Sequence, residues 1–226
     1  MHKIVIAIDG FSGCGKSSTA KEVAKKLGYT YIDSGAMYRA ATLYFLDNHV
    51  VLTNPIEVRR QLDKIDIAFH PNLENQKQET FLNGLNVEKQ IRTMRVSDYV
   101  SEVSKLKEVR QELVAQQQKL GKKKGVVMDG RDIGTVVFPE AELKVFMTAD
   151  LNIRAERRQK ELLEKGDLVE LEKILHNLAD RDKIDSTRKE SPLLKAEDAI
   201  EIDTSFLDFE EQVDKIVGLA REKIGS

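Results

Sequence analysis

Cysteine, tryptophan and histidine are scarce in this chain of 226 residues. Cys14 is the only cysteine, so no disulfide can form within the chain, and one cysteine with four dispersed histidines does not favour a structural zinc site. The apolar run after Lys3 is interrupted by Asp9 and is too short for a signal peptide or a membrane span. We therefore expect a cytoplasmic protein with no membrane partner.

An excess of one charge is also lacking. The chain has 36 Lys and Arg against 38 Asp and Glu, a formal net charge of −2. This balance supplies no overall attraction for nucleic acid. The longest basic run, Lys122-Lys123-Lys124, is adequately explained as a solvated loop. We therefore predict a globular protein without a nucleic-acid partner.

What the chain does have is an alternation of short apolar runs with helical patterns. No repeat or linker marks a boundary between independent domains. Buried strands that alternate with helices predict an α/β fold, a parallel sheet covered on both faces. Asn54-Pro55 predicts one helix start, and Asp208 with Glu211 predicts a capping box at another. The five predicted strands are Lys3–Asp9, Tyr29–Asp33, Gly125–Asp129, Leu143–Thr148 and Ala199–Asp203.

Residues 65–90 interrupt this alternation. Ile65, Ile67 and Phe69 alternate with other residues, as in a half-buried antiparallel strand. Asn83-Gly84 between two short β-type runs is a strong hairpin signal, because both residues tolerate the positive φ angles of a type I′ turn. The pattern predicts a small antiparallel sheet inserted into the α/β core.

The first predicted strand leads into a phosphate-loop pattern, G-x-x-x-x-G-K-[ST]. Its residues are Gly10-Phe11-Ser12-Gly13-Cys14-Gly15-Lys16-Ser17, followed by Ser18. Such a loop aims backbone N–H groups at phosphate oxygens, its lysine reaches the β- and γ-phosphates, and its hydroxyl binds the magnesium that accompanies ATP. An incidental Gly-rich turn is the alternative. The position between a strand and an amphipathic helix favours a nucleoside triphosphate site.

Asp129 ends another predicted strand. If that strand neighbours the first, the carboxylate lies beside the phosphate loop and can hold magnesium directly or through water. Many strands end in Asp before a Gly turn, so the pattern has a purely structural alternative.

The phosphate loop does not select the reaction, since GTPase switches, mechanical ATPases and small-molecule kinases share it. No Asn-Lys-x-Asp motif for guanine is present. Dispersed arginines favour phosphoryl transfer between two nucleotides, because their guanidinium groups bind phosphate oxygens. Arg154, Arg157 and Arg158 have the spacing of one helix face, which predicts a lid over the substrates or, alternatively, an ordinary solvated helix.

Five further motifs are distributed along the chain. They are Ile8-Asp9-Gly10, Asp33-Ser34-Gly35-Ala36-Met37-Tyr38-Arg39, Ile91-Arg92-Thr93, Asp129-Gly130-Arg131-Asp132-Ile133-Gly134-Thr135-Val136-Val137-Phe138-Pro139, and Arg181-Asp182 through Arg188. Together with the phosphate loop, these motifs resemble those of bacterial cytidylate kinases, within the nucleoside monophosphate kinase superfamily. The resemblance runs almost end to end and implies a five-stranded P-loop kinase core. It implies a single domain, 1–226, with a core (about 1–36, 112–150 and 190–226), a monophosphate-binding insertion (about 37–111) and a lid (about 151–189).

The resemblance implies transfer of the γ-phosphoryl group of ATP to CMP or dCMP with Mg²⁺, and we expect a monomer. The implied catalytic residues are Lys16, Asp129, Arg131 and Arg188, with Ser17 and Asp129 at the metal, and Arg157 and Arg158 join the phosphate loop at ATP. The implied contacts to the monophosphate are Ser34, Arg39, Ser101, Arg110, Arg131, Asp132, Arg181, Asp185 and Arg188. Arg39 and Arg131 would hold its phosphate, Arg181 and Asp185 its sugar, and Ser101, Arg110 and Asp132 its base.

Two of these residues, and the function itself, have alternative interpretations. Ser34 is also a good helix cap, and Asp132 could pair with Arg131 in a structural turn. A regulatory ATPase without a small acceptor and a UMP-preferring kinase are the alternative functions. Phe11 and Cys14 stand where relatives often carry Pro and Ala, and residues 183–187 carry fewer charges than in many relatives, which puts a contact there in doubt.

Overall fold

The structure is a computed structural model that describes residues 2–72, 78–164 and 166–225. The chain divides into two compact units, Met1–Tyr31 with Gly121–Ser226, and Ile32–Leu120. The regular elements, in chain order, are β1 (Val5–Gly10), α1 (Lys16–Leu27), β2 (Thr30–Asp33), α2 (Ser34–Asp47), α3 (Pro55–Leu62), β3 (Ile67–Pro71), β4 (Gln78–Leu82), β5 (Leu85–Asn86), a 3₁₀ turn (Gln90–Arg92), α4 (Met94–Ser104), α5 (Lys107–Gly121), β6 (Val126–Gly130), a π-helical turn (Ile133–Val137), β7 (Leu143–Thr148), α6 (Leu151–Glu164), α7 (Leu171–Thr187), β8 (Ile200–Asp203) and α8 (Phe209–Gly225).

Five parallel strands form one sheet with the order β2-β6-β1-β7-β8, and β1, β6, β7 and β8 belong to the first unit. The central strand β1 pairs in parallel with β6 on one side and β7 on the other, placing Ile6 opposite Val127 and Leu143. All six residues of β1 are buried, as expected of a strand covered on both faces. The predicted α/β fold with its five strands is confirmed, with boundaries shifted by no more than two residues.

Two helices pack on this sheet through small and branched apolar residues. Ala20 and Val23 of α1 and Val213 and Ile216 of α8 share one buried cluster with strand residues such as Ile8. The predicted capping box of α8 is confirmed by its two reciprocal hydrogen bonds: the Glu211 N–H donates to the Asp208 carboxylate (2.9 Å), and the Asp208 N–H donates to Glu211 (2.8 Å). The shared apolar cluster packs α1, the helix that leads out of the phosphate loop, against the sheet.

Helices α6 and α7 form a smaller helical pair in the same unit. Ala155 of α6 packs against Ile174 and Leu178 of α7 in a separate buried cluster. The pair therefore has its own apolar contact, and its remaining faces are free to carry polar side chains.

The second unit combines helices with a three-stranded antiparallel sheet of order β3-β4-β5. Asn83 (φ 49°) and Gly84 (φ 78°) form the turn between β4 and β5, so the predicted hairpin is confirmed. The predicted strand around Ile67 is confirmed as β3, while residues 73–77 of the predicted insert lie outside the described residues. Asn54 caps α3 with Pro55 at its first turn, as predicted.

Candidate active site

The phosphate loop joins β1 to α1 in the first unit. Gly13 and Gly15 have φ angles of 78° and 86°, a region that side-chain-bearing residues rarely adopt. At Gly10 the reason for glycine is space, because an added Cβ would lie 1.9 Å from the carbonyl oxygen of Met147 on β7. The local sequence therefore forms the loop that its pattern predicts, with the N-terminus of α1 beginning at Lys16.

Lys16 lies inside the loop. Its Nζ donates to the Phe11 carbonyl oxygen (2.5 Å) and lies 3.7 Å from the Cys14 sulfur. Burial, and then the nearby positive charge of Arg131, lower the pKa of Lys16. Burial thus destabilises the charged form of Lys16. A bound phosphate would stabilise this form, because it would place a negative charge beside the ammonium group.

Ser17 and Asp129 are brought together at the start of α1. The Ser17 hydroxyl donates to one carboxylate oxygen of Asp129 (2.7 Å), and the Tyr31 hydroxyl donates to the other (2.8 Å). A hydroxyl and a carboxylate are the hard oxygen ligands that Mg²⁺ prefers, and Mg²⁺ commonly takes only one or two protein ligands beside phosphates and water. The donor set at this position therefore fits magnesium bound with a nucleotide.

Four charged residues form a second cluster in the first unit. The Asp185 carboxylate accepts from Arg131 Nε (2.7 Å) and lies 3.4 Å from Arg188 Nη1, and Arg188 Nη2 lies 3.8 Å from Asp132. Burial alone would raise the pKa of Asp185, but Arg131, Arg188 and Arg181 hold it below its usual value. The cluster keeps Asp185 ionised and fixes two arginines in place. Arg131 thus has Asp185 as a partner, rather than serving only a turn with Asp132.

Arg181 lies close enough to this cluster to affect its charges, and it has unused hydrogen-bonding capacity. Its Nε atom is buried and has no hydrogen-bond partner among residues 2–72, 78–164 and 166–225. Burial, and then the charge of Arg131, lower the pKa of Arg181. A buried donor without an acceptor is costly, and an anionic or hydroxyl-bearing ligand would satisfy it.

Asp9 was not among the predicted site residues, although it directly precedes the phosphate loop. Its buried carboxylate accepts from the backbone N–H groups of Ile133 (2.8 Å) and Gly134 (2.7 Å). Burial raises the pKa of Asp9 to about 7, although these two hydrogen bonds act in the opposite direction. Asp9 therefore ties the end of β1 to the segment that follows Arg131 and Asp132. The sequence feature that could have identified Asp9 is its position as a charged residue inside an otherwise apolar predicted strand.

The three arginines of α6 do not share one role. Arg154 is buried, with contacts to the phosphate loop. Arg157 donates to the Thr204 carbonyl oxygen (2.6 Å), and the Thr204 hydroxyl donates to the carbonyl oxygen of Cys14 in the loop (3.2 Å). Arg158 pairs with Glu161 on its own helix (3.0 Å), as the solvated-helix alternative predicts. The common basic face inferred from spacing is thus divided among three environments.

In the second unit, Arg39 and Arg110 are held by backbone and side-chain acceptors. Arg39 donates to the Ile91 carbonyl oxygen (3.2 Å) and the Ser97 hydroxyl (2.9 Å). Arg110 is buried, donates to the Ser104 carbonyl oxygen (3.1 Å), and its guanidinium carbon lies 5.2 Å from the centre of the Tyr38 ring. These contacts orient both guanidinium groups before any ligand binds.

Ser101 and Ser34 lie in the same unit as these arginines. The carbonyl oxygen of Ser101 accepts from the Ser104 hydroxyl (2.9 Å), one turn from the contact to Arg110. The alternative interpretation of Ser34 as a helix cap is wrong, because Asp33 caps α2 by accepting from the Ala36 N–H. Ser34 is instead the buried first residue of the helix.

Arg92 braces the Asp33 cap. Its Nη2 lies 2.8 Å from the Asp33 carboxylate and 3.1 Å from that of Glu88. Burial alone would lower the pKa of Arg92, but the two carboxylates, Asp33 foremost, raise it. The residues around Ser34 are thus held by an ion pair that the sequence motif did not reveal.

Across the described parts of the chain, none of the helices combines the length and apolar character required to cross a membrane.

The parallel sheet, its phosphate loop and the Ser17–Asp129 pair define a P-loop nucleotide-binding protein. Residues 6–222 match the family model described as cytidylate kinase. The chain is 56% identical to the cytidylate kinase of Cytophaga hutchinsonii over 99% of its own length and 96% of that protein. It is 55% identical to the cytidylate kinase of Bacteroides fragilis over 94% of both chains. This chain belongs to the cytidylate kinase family.

The fold is also similar to that of an uncharacterized protein from Eubacterium ventriosum, known from a crystal structure. The match covers 98% of this chain and 99% of that one, with a TM-score of 0.52 and 14% sequence identity. At that identity the likeness concerns the fold alone.

Proposed function

We propose that this chain transfers the γ-phosphoryl group of ATP to CMP or dCMP, giving ADP and CDP or dCDP. The observation that carries the proposal is the match to cytidylate kinases over nearly the whole chain, with a complete phosphate loop inside it. A regulatory ATPase and a UMP-preferring kinase, the two alternatives from the sequence, gain no comparable support.

ATP is assigned to the phosphate loop, Gly10-Phe11-Ser12-Gly13-Cys14-Gly15-Lys16-Ser17, and to Ser18. Backbone N–H groups of the loop hold the phosphates, and Lys16 exchanges the Phe11 carbonyl for a phosphate oxygen. Arg157 joins this set because Thr204 connects it to the loop carbonyl of Cys14. Arg158 joins it by leaving its exposed pair with Glu161, which costs little.

Magnesium is assigned to Ser17 and Asp129. When bound, the ion screens the charge of the phosphates and polarises their oxygens. The chain's own contribution is to keep the Asp129 carboxylate oriented, through the hydrogen bond from Tyr31.

The acceptor phosphate is assigned to Arg131 and Arg188, and the sugar hydroxyls to Arg181 and Asp185. The free Nε of Arg181 supports its role as a ligand contact. Asp132 is assigned to the amino group of cytosine, because a carboxylate accepts from that donor whereas uracil presents an oxygen there. In the second unit, Arg39 is assigned to the phosphate, Arg110 and Ser101 to the cytosine acceptors, and Ser34 to a further contact with the nucleotide.

The chemistry requires no dedicated base. The acceptor is already an anion at neutral pH, since the second pKa of a phosphate monoester is about 6. One of its oxygens forms a bond to the γ-phosphorus of ATP, and the bond to the oxygen shared with the β-phosphate breaks, which releases ADP. Positioning and charge stabilisation by Lys16, Arg131 and Arg188 then carry the catalysis.

An acceptor panel tests the proposal. ADP formation from ATP and Mg²⁺ is measured with CMP, dCMP, UMP, AMP and GMP offered separately and with no acceptor. We expect ADP formation to depend on the presence of CMP or dCMP. A preference for UMP would favour the UMP-preferring kinase, and equal ADP formation without any acceptor would favour the regulatory ATPase.

The monomeric state and the cytoplasmic location are also proposed from the sequence. Cys14 is a buried free thiol, so the fold does not depend on a disulfide that would form in an oxidising compartment. Light scattering during size-exclusion chromatography would give the mass directly, against 25.6 kDa for one chain.

A further inference from the structure

Ser12, in the phosphate loop, has both of its backbone polar atoms bound by side chains from the helical pair of the same unit. Its carbonyl oxygen accepts from Arg154 Nη1 of α6 (3.0 Å). Its N–H donates to the Asp182 carboxylate of α7, at a longer distance of 3.4 Å. The two successive peptide groups that flank the Ser12 Cα are therefore both held by side chains.

The buried guanidinium group of Arg154 makes several contacts besides the one to Ser12. Arg154 is 6% exposed, its Nε donates to the Ala149 carbonyl oxygen (2.9 Å), and its Nη1 also lies 2.6 Å from Asp182. Its guanidinium carbon lies 5.3 Å from the centre of the Phe11 ring, within the range of a cation–π contact. A buried guanidinium needs this many partners, and each of them restricts where the loop can lie.

Asp182 completes the arrangement with both carboxylate oxygens. One oxygen accepts from the Ser12 N–H and the other from Arg154. The α6 backbone also approaches the loop closely, because a Cβ at Gly13 would lie 3.4 Å from the Arg154 Cβ. The loop is thus packed against α6 as well as hydrogen-bonded to it.

We propose that Arg154 and Asp182 are positioning residues that hold the phosphate loop in its ATP-binding conformation. The inference rests on the proposed ATP-dependent function. A glycine-rich loop has many accessible conformations, and a ligand that must order it loses affinity. Anchoring the two peptide groups that flank Ser12 removes part of that freedom in advance, so that the N–H groups of the following residues already converge when ATP arrives.

A different role would be purely structural, with the ion pair only joining α6 to α7. The two roles predict different results. A structural pair lowers the melting temperature when it is broken but leaves the affinity of the folded protein for ATP unchanged. A positioning pair weakens ATP binding in protein that is fully folded at the temperature of the measurement.

The test uses Arg154→Lys and Asp182→Asn in the full chain. Lysine keeps the positive charge but concentrates its donors on one nitrogen in place of the planar guanidinium fork, and asparagine keeps the shape but loses the charge and one acceptor. The matched control is Asp180→Asn, which removes the same charge from an exposed pair with His176 on the same helix. Dissociation constants for a non-hydrolysable ATP analogue with Mg²⁺ are measured by calorimetry at 25 °C, alongside thermal melts.

We expect each variant to bind the analogue about 10-fold more weakly or worse, as for the loss of a charge-assisted hydrogen bond. The Asp180→Asn control should stay within about twofold of the unaltered protein, as expected for an exposed ion pair. In Arg154→Lys the affinity for CMP should also stay within about twofold, because Arg154 contacts only the phosphate loop and its supports. The double variant should be little worse than either single variant, since the two side chains act as one unit.

Unchanged affinity for the analogue in folded Asp182→Asn and Arg154→Lys would overturn the inference while leaving the proposed function intact. If Arg154→Lys does not fold, the isosteric Asp182→Asn decides the matter alone. Failure of the unaltered protein to bind the analogue would overturn the proposed function, and the inference with it.

Discussion

The backbone N–H of Gly134 donates a 2.7 Å hydrogen bond to the carboxylate of Asp9, the residue that directly precedes the phosphate loop. The Ile133 N–H donates to the other oxygen of the same carboxylate. One buried side chain thus joins the residue before the phosphate loop to the segment that directly follows Arg131 and Asp132. The position of this segment is therefore linked to β1, the strand that leads into the phosphate loop.

The stability of the protein should carry a pH signature of Asp9. Burial raises the pKa of Asp9 from 3.8 to about 7, with Asp132 adding to the rise and Lys16 opposing it. Between these values the folded protein retains a proton that the unfolded chain has released, so the contribution of Asp9 to stability decreases as pH rises through about 7.

Urea unfolding of the unaltered protein and of Asp9→Asn would measure this contribution. The free energy of unfolding of the unaltered protein, minus that of the variant, should decrease by about 2–3 kcal/mol between pH 5 and pH 8. A difference that stays constant over this range would mean that Asp9 is already ionised at pH 5.

Lys16→Met should separate catalysis from stability. Burial makes the ammonium of Lys16 costly, as its lowered pKa indicates, so an apolar side chain of similar length should leave the melting temperature nearly unchanged. Turnover should fall by about 100-fold or more, because the charge that develops on the transferred group loses a contact.

The control for Lys16→Met is Lys26→Met, on the same helix but at the surface, where Lys26 pairs with Asp214. Its turnover should be normal. A folded Lys16→Met enzyme with near-normal turnover would remove this lysine from the mechanism.

Asp132→Asn tests how the base is selected. If Asp132 accepts from the cytosine amino group, the ratio of kcat/KM for CMP to that for UMP should fall about 5- to 150-fold, the effect of 1–3 kcal/mol of base discrimination. The ratio should fall chiefly because kcat/KM for CMP decreases. Steady-state kinetics with both acceptors give the ratio, and a melt establishes that the variant is folded.

A competing role follows from the 3.8 Å separation of Asp132 from Arg188. If Asp132 only steadies this arginine at the acceptor phosphate, CMP and UMP should lose efficiency by similar factors. An unchanged ratio would thus exclude base selection by Asp132 without touching the kinase assignment.

The Ser17–Asp129 pair should set the magnesium requirement. Asp129→Asn should raise the Mg²⁺ concentration for half-maximal activity by about 10-fold or more, because a neutral amide is a weaker ligand than a carboxylate. Tyr31→Phe removes the hydroxyl that donates to Asp129 but keeps the carboxylate itself, so its effect should be smaller. Titration of activity with Mg²⁺ at saturating ATP measures both, and an unaltered titration curve for Asp129→Asn would place the ion elsewhere.

Features encoded by local pattern were predictable from the sequence. The five strands, the phosphate loop and the Asn83-Gly84 hairpin each depend on residues close together in the chain. The N-cap residue of α2 was harder to predict, because Asp33 and Ser34 are adjacent and residues of both types are good caps. The helix begins at Ser34, one residue earlier than a Ser34 cap would require.

Contacts between distant segments were not predictable. The partners of Arg154 come from Ser12, Ala149 and Asp182, and nothing in the spacing of α6 indicates that this arginine is buried while Arg158 is only half-buried. The approach of α6 and α7 to the loop is a property of their packing, so the residues that hold the loop emerge only in three dimensions.

The most direct test of the account follows the phosphoryl group itself. ATP labelled in its γ-phosphate is incubated with Mg²⁺ and CMP, and the labelled products are separated by chromatography. We expect label in CDP, in an amount equal to the ADP formed, and almost none in inorganic phosphate. Label released as inorganic phosphate at a rate independent of CMP would contradict phosphoryl transfer to CMP.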